Sequence, residues 1–552
     1  MIMAFLPMAI QAQTIVEVRN SDFAENTSTY WTADKVYNLK DMVYVKPGSR
    51  LYIEAGTVIK ADLGVGNSAK GLVITRGAQI FAEGTAERPI IMTSIQDNLN
   101  GNLDKDDRGL WGGLVVLGAA TTNNPSVGGL RLIEGLNEIA NPQILAEYGG
   151  TNDDDNSGVI RYVSIRHTGI AIGDVAGNEI QGLTLGGVGR GTTIEYVESF
   201  ASDDDGFEWF GGTVDAKYLV SAFNSDDAYD WDEGFRGRGQ FWFAIQAQGE
   251  GGFGRGMELD GAIGDENTTP FAIPVLSNLT ILGAGTTISG TNAGDGSQLM
   301  ILRDNSGGKF YNSIFAQQHN TALSIEDVGS TTEFDSRRRL EAGDIVFRNN
   351  LWFGFGAGNA VNQFAPQAYA NAYLGDAANA NRIADPQFRA ISRTPNGGLD
   401  PRPALGSPAL DGSQVSIPAD AWFTTVNYTG AFGDNNWLGG WTALSQKGYL
   451  VPGSWTSIER DGSDLADSFE LGNYPNPFNP STVVRYTLPE SGQVRLSVYD
   501  VMGREVAVLV DGAQANGTYE VTFNAANLAS GVYLYRLQVG AQTQTQKMLL
   551  MK

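Results

Sequence analysis

Apolar and polar residues alternate in short runs along most of this chain, and each run breaks at a glycine or an asparagine. Leu51-Tyr-Ile53 leads to Gly56 and then Val58-Ile59, and Leu72-Val-Ile74 leads to Gly77 and then Ile80. A period of two predicts strands with one buried face, and the glycine predicts a bend between them. The pattern also returns on itself. Leu51, Ile53, Gly56 and Ile59 match Leu72, Ile74, Gly77 and Ile80. Val197, Phe200, Ser202, Asp203 and Asp204 match Val220, Phe223, Ser225, Asp226 and Asp227, and Ile160, Tyr162 and Val163 anticipate Ile194, Tyr196 and Val197. Further on, Phe310, Asn312, Ile314 and Phe315 match Phe347, Asn349, Leu351 and Trp352.

Irregular repeats of this size predict a solenoid of stacked coils. The fold expected for residues 13–412 is a right-handed parallel β-helix, with equivalent side chains stacked inside and asparagines forming amide ladders at the bends. Helical periodicity is scarce: 131–148 is a candidate short helix, and 355–385, rich in Ala, Asn and Gly, reads as an irregular excursion. An open solenoid must cover its end. The stretch 413–456, with Trp422, Trp437, Trp441 and Trp455, is the expected cap, and the polar run 457–468 the expected linker.

From Phe469 the pattern changes. Pro475, Pro477 and Pro480 forbid regular structure locally. Clean alternation follows, with Val494, Leu496 and Val498 on one face and Tyr519, Val521 and Phe523 on another. Gly503, Gly512 and the Asn516-Gly517 pair stand where turns are needed. An Ig-like antiparallel β-sandwich of about seven strands is predicted for 469–552.

The segments NYPNPFNPST (473–482), VRLSVYDVMGREVAVLVDG (494–512), SGVYLYRLQVG (530–540) and QKMLLMK (546–552) agree in order with, and closely resemble, the type A C-terminal sorting domain of type IX secretion substrates. The resemblance implies passage through the outer-membrane type IX translocon, removal of the domain near the linker, and an extracellular or outer-surface location. The front part more loosely resembles a widespread group of exported right-handed β-helix proteins, which implies fold and location but little chemistry. It rests on GSRLYIEAGTVIKA (48–61), FASDDDGFEWFGGTVDAKYLV (200–220) and VNYTGAFGDNNWLGGWTAL (426–444).

Composition agrees with export and narrows the partners. The apolar run of residues 1–10 ending at Gln11-Ala12 reads as a signal-peptide remnant, cut after Ala12. No later run reaches the roughly 20 apolar residues of a membrane helix, so no transmembrane segment is expected. The 552 residues include 70 Gly and no Cys, which suits a turn-rich fold without disulfides or thiolate chemistry. A formal net charge of −25 argues against nucleic acid, which needs cationic contacts to phosphate.

The acid is clustered. Asp153, Asp155 and Ser157, followed by Gly158, have the spacing that opens an oxygen-ligand calcium loop, although Ser164 stands where such a loop closes on Glu. Asp203, Asp204 and Asp205 return as Asp226 and Asp227, with Asp230 and Asp232 close behind. Carboxylates stacked one strand apart, about 4.8 Å, repel, and a bound Ca²⁺ would relieve them. These ten residues are the candidate metal ligands; the alternative is a solvated acidic ridge. Enzyme chemistry has less material. The two histidines, His167 and His319, lie far apart in sequence. A polysaccharide lyase would need a base such as Arg236, Arg238, Arg255 or Arg303 beside the acid, and a hydrolase would use paired carboxylates. Trp209, Phe210, Trp231, Phe235 and Trp242 either stack on sugar or, as preferred, fill the core. The function expected is a structural, adhesive or assembly role at the cell surface, with extracellular polysaccharide or self-association as the contact, and polysaccharide cleavage as the rival.

Overall fold

The computed structural model describes residues 13–123, 130–136, 139–140, 142–172, 179–247, 254–286, 297–329, 334–417, 420–452, 454, 470–474, 476, 478–488, 492–514, 517–526, 528–539 and 542–551. The expected signal-peptide remnant and linker lie outside these residues. The chain divides into two compact units, one ending at Pro452 and one beginning at Gly453.

The first unit is a parallel β-helix with three faces. Its first face runs from Ser28–Trp31 through Arg50–Ile53 and Gln79–Glu83 to Ile345–Arg348. Its second runs from Thr14–Val18 through Lys35–Leu39 to Leu351–Phe355 and Arg382–Ile383. Three long strands, Gly158–Arg166, Thr193–Phe200 and Asp215–Ala222, belong to both faces and bend between them. The third face is nine strands, from Met42–Val45 through Leu183–Gly186, Phe207–Phe210, Tyr229–Asp232, Met257–Asp260 and Met300–Arg303 to Leu323–Ile325.

Alternation decides what fills the interior. On the third face Phe207, Tyr229, Met257 and Met300 stack inward, as do Trp209, Trp231, Leu259 and Leu302. Trp209 lies parallel to Trp242 at 5.1 Å. Each fully buried side chain of this size contributes about 1.5–3 kcal/mol. The aromatic group 209–242 is therefore core, not a sugar platform. A partly exposed ladder does exist, Tyr30–Tyr52–Phe81, with its rings stacked on one another at 4.8 and 4.9 Å.

The bend between the first and second faces is a column of left-handed residues: Tyr162, Tyr196, Tyr218, Phe241, Asn278, Asn312 and Asn349 all have φ between 50° and 59°. The tyrosines stack at 4.3 Å. The expected amide ladder is present, with Asn349 Nδ2 donating to Asn312 Oδ1 at 3.1 Å. Asn312 also accepts from the Val415 N–H at 3.1 Å. Asn312→Ala keeps the left-handed backbone but loses the side-chain amide that makes asparagine tolerant of it, and strips those bonds, so a loss of about 2–3 kcal/mol is expected in denaturant unfolding. Asn312→Gly, which removes the bonds but not the backbone freedom, should lose less.

Two of the four repeats are in register as read: Ile160 pairs with Ile194, and Phe310 with Phe347. The other two are corrected. Leu51 pairs with Ile80, while Leu72 pairs with Val43 on the third face. The shared pattern was strand–glycine–strand at two different corners, not one coil above another. In the acidic repeat Val197 pairs with Leu219 rather than Val220, a slip of one residue.

The parallel strand ladders of the solenoid end at Ile383, short of the expected 412. The solenoid end is closed by the 355–385 excursion, not by 413–456. Its helix Ala368–Leu374 turns Ala370 and Leu374, with Phe364, onto the core at Trp352 and Phe355. The aromatic-rich segment instead runs back along the bend column as a strap. Thr424 meets Gln240, Tyr428 meets Asn278, and Trp437 and Trp441 sit edge-on over the stacked tyrosines. Its last turn reaches Glu198 and Arg166. Where a short helix was expected, Arg131–Leu132 pairs antiparallel with Glu147–Tyr148, and Gln143–Ala146 form a 3-10 turn.

The second unit has the expected architecture, two antiparallel sheets of three and four strands among the described residues, but Gly512 lies within the strand Glu505–Gln514, paired with Val494, and not at a turn. Val494, Leu496 and Val498 face a core with Tyr486, Phe523, Tyr535, Leu537 and Met548. Asn516 lies outside the described residues.

Candidate metal centre

The outer positions of the third face carry the acid. Glu208, Asp230 and Glu258 stack in register, and Asp232 and Asp260 end the neighbouring strands. The strands read FEWF, YDWD and MELD, so each acid alternates with an inward apolar side chain. The turn that enters this face adds Asp203–Asp205 and Asp226–Asp227. Equal numbers of residues separate the paired strands on either side of the turns, so Asp204 stands over Asp226 and Asp205 over Asp227. The Asp227 N–H donates to Asp205 Oδ1 at 2.8 Å, which ties the two turns together.

Ligand atoms of Asp204, Asp205 and Asp226 lie within 4.8 Å of one another, and so do those of Asp205, Glu208 and Asp230. In-register carboxylates at such spacing repel by about 3–4 kcal/mol per charged pair at an effective dielectric of about 20. Compensation is uneven. At one end Arg255 Nη1 reaches Glu258 at 2.6 Å and Asp227 at 3.5 Å, and Arg303 Nε reaches Asp260 at 2.8 Å. At the other end Asp204, Asp205, Glu208 and Asp230 have no Lys or Arg partner among the described residues. Glu208 is 7% exposed, yet its Oε2 has no hydrogen-bond partner, and neither has Asp230 Oδ1. Buried acceptors of this kind are costly unless something fills the gap.

Burial, reinforced by the neighbouring carboxylates, pushes Asp204, Asp205, Glu208, Asp227 and Asp230 well above the usual carboxylate range. Burial likewise lifts Asp232 to about 7, and Glu134 to about 7. An all-oxygen anionic set is what a hard divalent cation such as Ca²⁺ takes.

Of the ten residues singled out in the sequence, Asp204, Asp205, Asp226 and Asp230 are brought together. Asp203 is exposed and accepts from Ser225 Oγ at 3.1 Å. Asp227 is held by Arg255, and Asp232 accepts the Glu233 N–H at 2.5 Å. The Asp153 loop does not assemble: Asp153 pairs with Arg236 at 3.3 Å, and Asp155 accepts from Ser157 Oγ at 3.1 Å. Arg238 is likewise spent on Asp215 and Asp420. Glu208 was missed, although its place two residues before Phe210, like Asp230 before Asp232, was visible as alternation.

A three-faced parallel β-helix followed by a small antiparallel sandwich defines a β-helix protein with a separate C-terminal module. The chain belongs to the family described as the pectate-lyase-like β-helix domain, whose model matches residues 23–382. Residues 473–551 match the secretion system C-terminal sorting domain, so the protein is a type IX export substrate bound for the cell surface or beyond. No helix among the described residues is long and apolar enough to cross a membrane. No curated protein matches the chain. Among solved structures, the enzymatically active domain of bacteriophage CBA120 tailspike protein 2 aligns with 95% of this chain and 72% of its own length. The identity is 10% and the TM-score 0.27, a level at which nothing about chemistry transfers.

Proposed function

We propose that this protein is an extracellular β-helical rod, closed by Ca²⁺ on its acidic face, with a structural, adhesive or assembly role at the cell surface. The observation that carries the reading is the buried half of the acid ladder. Glu208 and Asp205 are each 7% exposed, so an ion fits there and a polysaccharide chain does not. A cation that binds only the folded state stabilises it by about 2.7 kcal/mol at a hundredfold excess over Kd. Melting of the full chain in Ca²⁺ and in chelator, with elemental analysis of the purified protein, checks this. The expected result is a lower melting temperature in chelator; an unchanged one, with no bound metal, overturns the reading.

The placement of Arg255 and Arg303 within the same ladder favours, as a second reading, a lyase or hydrolase acting on extracellular polysaccharide. Its difficulty is that both guanidinium groups are engaged by acids, which leaves neither poised as a base. New unsaturated products from uronate polysaccharides, absent in Arg303→Ala, would establish it.

A further inference from the structure

We infer that Tyr30 and Tyr52 form a covalent cross-linking site, at which oxidation by peroxide joins the two rings as dityrosine and staples the first coil of the β-helix to the second. The chain has no cysteine, so this exported protein has no disulfide with which to tie its coils. The strand Ser28–Trp31 has most need of such a tie. It pairs with Arg50–Ile53 on one side and, among the described residues, with no strand on the other, and an end strand of that kind opens first.

Register brings the two rings together. Tyr30 is the parallel partner of Tyr52, and both side chains leave the outer side of the first face, so like atoms lie over like. The ring centroids are 4.8 Å apart and the planes 8° from parallel, so the carbons ortho to the two hydroxyls face one another across the stack. Phe81, stacked next at 4.9 Å, carries no hydroxyl and ends the reactive column. Tyr30 is 66% exposed, so an oxidant reaches it and its ring has room to turn out of the stack as the new bond forms. The stacked tyrosines of the bend column lack that room. Tyr162, Tyr196 and Tyr218 lie 4.3 Å apart, but Tyr196 is held between the other two, and Trp437 and Trp441 stand edge-on against them.

The reaction needs the two phenols, hydrogen peroxide and a haem peroxidase to pass the electrons. Each phenol loses one electron and its hydroxyl proton. The two phenoxyl radicals couple through their ortho carbons, and each coupled carbon then gives up its hydrogen as the oxygen regains a proton. The two electrons and two protons released turn one peroxide into two waters.

The experiment treats the full chain, dilute, with hydrogen peroxide and a haem peroxidase. The expected product is a monomer lighter by two hydrogens, with dityrosine fluorescence and a linked peptide pair that contains Tyr30 and Tyr52. Hydrogen exchange across Ser28–Trp31 should slow by about tenfold or more in that product, because the link closes the loop between the coils. Tyr30→Phe and Tyr52→Phe keep the stacked rings and should each abolish the linked peptide and the slowing. The site is refuted if the unmodified chain yields no such peptide, if dityrosine persists undiminished in Tyr30→Phe, or if the link joins two copies. A link that forms within one copy and leaves exchange unchanged refutes the staple.

Discussion

Glu198→Ala is expected to destabilise the β-helix by about 3–5 kcal/mol and to release the end of the strap from the bend column. Glu198 is fully buried on the outer side of the second face, where Ser164 Oγ donates to it at 2.5 Å. It also accepts the first N–H groups of the strap's last turn, from Ala443 at 2.6 Å and Leu444 at 3.3 Å. Buried Arg166 completes the clasp, with Nε donating to Ser164 Oγ at 2.7 Å and Nη2 to Gln446 at 2.7 Å. Burial pushes the Glu198 carboxyl up, and Arg166 together with the two backbone N–H groups opposes it. Truncation to Ala removes the larger of the two carboxylate charges that balance the buried Arg166 guanidinium, the other being Asp97, and leaves two backbone donors unpaired. Glu198→Gln keeps one acceptor and should lose less. Denaturant unfolding reads the stability, and limited proteolysis reads the strap: cleavage within 431–450 should appear early in Glu198→Ala. A loss under about 1 kcal/mol, with no new cleavage, would mean that Trp437 and Trp441 hold the strap by packing alone.

That clasp also marks where sequence reading runs out. Glu198 and Ala443 are 245 positions apart, and nothing local to either announces the other. What could be read was local and periodic. Alternation gave the strands, and aligned bend residues such as Tyr162 with Tyr196, or Asn312 with Asn349, fixed true coil register because a left-handed bend is required at one point in each coil. Register failed where identity was followed instead of the bend. Matching Val197 to Val220 put Asp203 over Asp226, whereas the true step pairs Val197 with Leu219. In a period-two element a one-residue slip exchanges inside for outside. The acidic coils were therefore found but misregistered, and Glu208 was passed over because it sits in a run, FEWF, that otherwise reads as core. The strap was taken for an end cap because tryptophans announce burial without saying against what. The Asp153 loop misled for the converse reason: its spacing suits calcium, but Arg236, 83 positions away, already supplies the positive charge.

The acid ladder should invert the usual pH dependence of stability, and Ca²⁺ should restore it. A carboxyl whose pKa is raised in the folded protein contributes stability below its unfolded value, near 4, and loses it as pH rises through the folded value. Asp232 and Glu134 both lie at about 7 through burial, so each costs roughly 3–4 kcal/mol by pH 8. Asp204, Asp205, Glu208 and Asp230 act in the same direction. His167 works against them. Burial, helped by Lys447, depresses it to about 4, so its contribution is complete above pH 6.5 and is lost as pH falls toward 4. In chelator, stability should therefore decline from about pH 4 to pH 7, less steeply below pH 6.5, where His167 opposes the carboxyls. Ca²⁺ competes only with protons on the carboxylates and leaves His167 untouched. Its stabilising increment should accordingly be small at pH 4.5 and grow steadily to pH 8, with protons released on binding at pH 6. Calorimetric titration in two buffers of different ionisation enthalpy measures the release, and melting curves at four pH values measure the increment. Glu208→Gln should flatten the decline in chelator and shrink the calcium increment together, because the same charge causes both. An increment equal at pH 4.5 and pH 8, or a variant that changes one effect without the other, would separate cation binding from the buried ladder and move it to the exposed acids of the surface.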